Sequence, residues 1–117
     1  MRTVRIGEQD VKLLGSAYSI MAWHFAFGQG EGDILKALVR IESGKFGTLP
    51  DALRVAYALA ATAWRADGSK APAFDAWVDS LGALGGLSWV KEVVDEAEAG
   101  LFRPRDEQGE AEAGEER

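Results

Sequence analysis

Apolar positions recur at two different periods along this chain, and the change of period divides it into elements. Thr3, Val4 and Ile6 precede Gly7-Glu8-Gln9-Asp10, and Val11, Leu13 and Leu14 follow. Short β-rich runs on either side of a polar, glycine-containing turn predict a β-hairpin over residues 3–14. Arg2, Arg5 and Lys12 fall on its solvated side. Because a two-stranded hairpin is marginal alone in water, its other face must lie against the helices. Beyond Ser16 the period becomes helical. AYSIMAWHFAF, capped by Ser16 and ended by Gly28, carries Ile20, Met21, Trp23, Phe25 and Phe27 around most of its circumference, more than one buried face requires. This helix is either central to the fold or the meeting surface for another subunit. Asp33 caps ILKALVRIES, in which Ile34, Leu38 and Ile41 form a stripe that Leu35 and Val39 widen. Lys36, Arg40 and Glu42 point elsewhere, and Gly44 stops the helix.

The most apolar stretch follows. From Thr48 to Asp67 the chain reads TLPDALRVAYALAATAWRAD, with ten uncharged residues between Arg54 and Arg65. Thr48 can cap the first turn, Pro50 sits where a missing N–H costs nothing, and Asp51 places negative charge at the positive end of the helix dipole. No wide polar stripe is left, so neighbours must surround this helix, and Tyr57 and Trp64 are expected to be substantially buried. Five alanines between positions 56 and 63 let those neighbours approach closely. A fourth helix, AFDAWVDSLG, has Phe74, Trp77, Val78 and Leu81 on one face. In a fifth, capped by Ser88, Val90, Val93, Val94 and Ala97 face inward while Lys91, Glu92, Asp95, Glu96 and Glu98 face water. The expected fold is mainly α (α+β). It is a compact bundle of about five helices with an N-terminal hairpin, forming one domain over residues 1–102.

Composition changes the picture at the C-terminus. RPRDEQGEAEAGEER, residues 103–117, has a net charge of −3 and no large apolar side chain, which predicts a disordered acidic tail. That is half the net charge of −6. The acidic balance argues against a general nucleic-acid binder, whose affinity comes from neutralising phosphates. The absence of cysteine removes disulfide frameworks and thiolate zinc sites and agrees with a reducing, cytosolic setting. No apolar run reaches the ~20 residues of a membrane span, and no N-terminal leader pattern is present, so a soluble intracellular domain is expected.

Candidate chemistry is sparse. His24 is the only histidine and has no evident second ligand or acid partner. Asp75 and Asp79, four apart on a helix, read as a solvated face. Gly28-Gln29-Gly30-Glu31-Gly32 lacks both the preceding strand and the spacing of a phosphate-binding loop. The four tryptophans have no interleaved basic residues for base stacking, which leaves core packing or a protein interface. No catalytic, cofactor-binding or metal-binding residue is assigned, and the chain is expected not to be an enzyme.

The order of features reaches further than any one motif. A hairpin written TVRIGEQDVKLL, the helix AYSIMAWHFAF, GEGDILKALVRIESG, the DALRVAYALAATAW helix, FDAWVDSLG, a final amphipathic helix and a charged tail follow in sequence over residues 1–104. In this order the chain resembles the tail assembly chaperones of long-tailed bacteriophages and prophages. The resemblance implies a protein that binds the long, largely helical tape measure protein, keeps it soluble and helps recruit tail tube subunits. It also implies action in the bacterial host cytoplasm, absence from the mature virion, and no catalytic residues. A chaperone for an apolar helical client needs an exposed apolar surface, which self-association into a homo-oligomer can hide until the client arrives. Tyr18, Met21, Trp23, Phe25 and Phe27 are the candidate interface residues, and each is also a candidate for the core. Two other readings are a structural head–tail component of the virion and a small regulatory module that binds a protein partner.

Overall fold

A computed structural model describes residues 1–28, 32–44 and 48–102. Strands β1 (Arg2–Ile6) and β2 (Gln9–Leu13) lead into helices α1 (Ala17–Phe27), α2 (Ile34–Glu42), α3 (Thr48–Ala66), α4 (Phe74–Leu81) and α5 (Ser88–Leu101). The expected five helices and N-terminal hairpin are therefore present. The acidic tail and the middle of the glycine-rich loop lie outside the described residues.

The hairpin is an antiparallel pair in which Arg2 faces Leu13, Val4 faces Val11 and Ile6 faces Gln9. A two-residue turn, Gly7-Glu8, closes it, with Gly7 at φ 62° as such a tight reversal requires at its first position. Side chains alternate as the pleat dictates. Val4, Ile6, Val11 and Leu13 are buried, whereas Thr3, Arg5, Asp10 and Lys12 are exposed. The turn also finishes α4, whose last carbonyls lack helical partners: the Glu8 N–H donates to the Leu81 carbonyl at 2.7 Å, and Gln9 Nε2 to that of Ser80 at 3.1 Å. A Cβ on Gly7 would lie 2.3 Å from the Leu81 oxygen, so glycine is needed there twice over.

Helix α3 is the centre of the bundle, as its uncharged middle predicts. It packs against α1, α2, α4, α5 and β2, and Ala52, Val55, Ala56, Ala58, Leu59, Ala60 and Ala63 are buried along it. Tyr57 is buried and Trp64 half-buried. Thr48 stands inside the first turn rather than before it. Asp51 does more than answer the helix dipole. It is buried, and Arg40 of α2 grips it bidentately, Nε donating to one carboxylate oxygen at 2.7 Å and Nη2 to the other at 2.8 Å, while Arg54 reaches it at 3.3 Å. These bonds, the Arg40 one foremost, hold the Asp51 carboxyl below the usual aspartate range despite its burial. Arg40 therefore does not point away from the core; it ties α2 to α3.

Helix α5 lies across β1 and α3 with Trp89, Val93 and Ala97 buried. Its helical pattern placed Glu96 among the solvent-facing charges, but Glu96 is only 8% exposed. One carboxylate oxygen accepts the Gly15 N–H at 3.0 Å and the other lies 3.4 Å from Arg2 Nε, so the acid joins the hairpin to the last helix. Close backbone approach makes this possible. A Cβ on Gly100 would sit 2.1 Å from the Gly15 carbonyl oxygen, leaving room only for hydrogen. Ser88 is also placed differently from its expected capping role: it begins the helix, Leu87 is the capping residue, and neither makes a side-chain cap.

Candidate interaction surface

Helix α1 has no charged residue over Ala17–Phe27, so electrostatics alone cannot orient it. Its caps and hydroxyls do. Ser16 Oγ accepts the Tyr18 N–H at 3.2 Å, and Ser19 Oγ accepts the Ser16 N–H at 3.4 Å, forming a capping box. Ser19 is itself buried and donates to Thr62 Oγ1 of α3 at 2.7 Å, with the Leu14 carbonyl oxygen 3.3 Å from its own oxygen. Thr62 in turn donates to the Ala58 carbonyl at 2.8 Å. A satisfied hydroxyl pair in the core thus fixes which side of α1 faces inward: Ser19, Ala22 and Trp23, at the three- and four-residue spacing of one helical face.

That rotation corrects one predicted interface residue. Trp23 is 2% exposed, its Nε1 donates to the Gly32 carbonyl at 3.1 Å, and its ring meets Phe27 edge-on at 4.9 Å. It belongs to the core because it shares the buried face with Ser19. Phe27 is half-buried and continues into an aromatic cluster with Tyr57 and Phe74, the latter at 4.9 Å and nearly perpendicular. Tyr57, whose hydroxyl donates to the Pro72 carbonyl, has its phenol pushed up by burial. Tyr18 is half-buried, with the Arg65 guanidinium 4.1 Å above its ring.

The opposite face of α1 is open. Phe25 is 69% exposed, Met21 44% and Ile20 40%, with His24 and Ala26 also on the outside. Met21 and Phe25, one turn apart, form a ridge with recesses beside it. One recess, about 360 Å³, lies between Ile20, Met21, His24 and Asp33; the other, about 230 Å³, lies beside Phe25, Tyr18 and Ala61. Ile20 was not among the predicted interface residues. Its exposure follows from the inward turn of Ser19, which no local pattern announces. Val39 of α2, 65% exposed, and Leu35 one turn before it expose a second apolar pair.

The remaining candidates stay apart from one another. His24 is exposed, with its ring tilted against Phe25 at 6.0 Å, and Asp75 and Asp79 are both in water. Among the described residues no group of three or more His, Asp or Glu side chains could hold a metal ion, and no helix is long and apolar enough to cross a membrane. Glu98 of α5 is pushed up, chiefly by a hydrogen bond with the Glu42 carboxyl. What the α1 face can do chemically is bury the apolar ridge of Ile20, Met21 and Phe25 against a partner. Compared with known protein families, characterised proteins and solved structures, the chain matches none.

Proposed function

We propose that this protein is a non-enzymatic assembly chaperone of the phage tail type, which binds the tape measure protein through the outer face of α1. The observation that carries the reading is an exposed, uncharged stripe of Ile20, Met21 and Phe25 on a chain whose net charge is −6. Amphipathic helical clients present matching apolar stripes at helical spacing, and a groove-and-ridge surface accepts them without base-like specificity. The order of elements that resembles tail assembly chaperones supplies the identity of the client. In this reading the protein works in the host cytoplasm, helps recruit tail tube subunits, forms homo-oligomers while idle and is left out of the mature virion.

Magnitudes give the reading a further shape. Completing the burial of three partly exposed side chains contributes roughly 1–2 kcal/mol each. Against the loss of rotational and translational freedom, that supports only a weak contact per copy. Retention of a long client therefore depends on many copies acting along its length.

The test is co-expression with a tape measure protein, taken from the gene next to this one if that gene encodes a long helical protein. The wild-type chain should keep that protein soluble and co-purify with it in several copies per client. Met21→Asp/Phe25→Asp should abolish both effects while circular dichroism stays unchanged, since neither side chain is in the core. A client that stays insoluble with wild type, or remains soluble with the double variant, would refute the assignment.

A further inference from the structure

We propose that the free edge of β2 is a docking site for an extended peptide, which adds to the hairpin as a third strand and places an apolar side chain in the groove beside it. The argument starts from the register. Ile6 and Gln9 close a two-residue turn and so form a hydrogen-bonded pair, and pairs alternate from there. Arg5–Asp10 and Thr3–Lys12 are the non-bonded pairs, so the N–H and C=O groups of Asp10 and Lys12 point away from β1 along the outer edge of β2. Among the described residues, no hydrogen bond is made to these backbone groups. Two donors and two acceptors are thus presented in the spacing an added strand needs.

The edge runs beside a groove instead of bare solvent. A groove of about 410 Å³ follows Gln9–Lys12, floored by Ala60, Ala63 and Trp64 of α3 and walled by Trp77 of α4. Its size falls in the range of about 300–1,000 Å³ found for ligand pockets. On an added antiparallel strand, the residue opposite Val11 points to the same face as Val11, toward the helices, and therefore into this groove. Its neighbours on the strand stand opposite Lys12 and Asp10 on the solvent face. Charge complementarity across the pair selects an acidic residue opposite Lys12 and a basic one opposite Asp10. Read from its N-terminus, the occupant has the order acidic, apolar, basic. Arg5, 3.2 Å from Asp10, and Asp67, 4.0 Å from Lys12, soften this selection without reversing it.

β2 of a second copy carries the same order, Asp10-Val11-Lys12, but its Val11 is 5% exposed within its own core and has no side chain to offer. The geometry therefore favours a segment of another protein over self-pairing. This site lies apart from the outer face of α1 and does not depend on the function proposed for that face.

Two fluorescein-labelled peptides test the proposal on the full chain: Ser-Val-Glu-Leu-Lys-Val-Ser and its charge-exchanged twin Ser-Val-Lys-Leu-Glu-Val-Ser. By fluorescence anisotropy the first should bind about fivefold more tightly. Asp10→Lys/Lys12→Asp should invert that preference. Lys12→Pro removes only an outward N–H, leaves the hairpin ladder intact, and should weaken binding about tenfold. Unchanged amide protection of Val4 and Val11 in this variant will show that the hairpin is still formed. Equal affinity for the two peptides, a preference that survives the charge exchange, or full binding by a folded Lys12→Pro variant would overturn the proposal. So would concentration-dependent dimerisation that Lys12→Pro abolishes and the peptides fail to compete, because the edge would then belong to a second copy.

Discussion

Asp51→Asn removes one charge from the join between α2 and α3 and leaves its shape almost intact. The wild-type carboxylate accepts two short bonds from Arg40 and a longer one from Arg54, and it is almost fully buried. Hydrogen bonds to charged groups are worth about 1.5–3 kcal/mol each. The amide keeps one acceptor oxygen, and the Arg40 side chain, 38% exposed, can recover part of its hydration. A net loss of about 2 kcal/mol remains, with roughly 0.5 kcal/mol more from the lost negative charge in the first turn of α3. For a domain of this size that lowers Tm by about 10 °C. Urea unfolding followed by tryptophan fluorescence at neutral pH measures it directly. The pH dependence provides a second reading. Because the folded Asp51 pKa lies below the ordinary 3.8, its contribution is complete above that value and disappears as pH falls through the lowered folded one. The stability gap between wild type and Asp51→Asn should therefore close in acid. A gap of less than about 0.5 kcal/mol at neutral pH, the range of an ordinary surface change, would refute the coupling of α2 to α3 through this group. A gap that does not shrink in acid would refute its electrostatic origin.

Other variants test the remaining joints. Gly100→Ala places a Cβ against the Gly15 backbone and should cost about 3 kcal/mol or more in chemical denaturation; tolerance of alanine would mean the two segments do not touch. Trp23→Ala should cost about 3–5 kcal/mol and Phe25→Ala less than about 0.5 kcal/mol, and equal effects would refute the inward orientation of Trp23 and the outward one of Phe25. Ser19→Ala and Thr62→Val should each cost about 1–2 kcal/mol, and the double variant clearly less than their sum, as expected when both partners of a buried hydroxyl pair leave together.

Much of this fold can be read from the chain because its signals are local. The hairpin announces itself through alternation and Gly7, and α3 through an uncharged run too apolar for any surface. The register of α1 could not be read that way. A helix apolar on all sides has no preferred face until a distant partner supplies one, here Thr62, and so Trp23 and Ile20 exchange the places that size alone would suggest. Glu96 and Arg40 escaped for a related reason. On a helical wheel a charge belongs to water unless its partner is known, and those partners, Gly15 and Arg2 for one and Asp51 for the other, come from different elements. The β2 edge is legible only once the turn length fixes which pairs are bonded.

The meeting of Gly15 and Glu96, separated by 81 positions, also sets an order of events during synthesis. Strand β1 is made well before α5, the helix that covers it. Until α5 emerges, the inner face of β1 has no permanent cover, and closing so long a loop is an entropic barrier that local helix formation does not lower. The nascent chain can form α3 and gather α1 and α2 around it early. Its hairpin acquires its final seat only when Glu96 arrives, which makes the emergence of α5 the step that turns a partly gathered chain into a folded one.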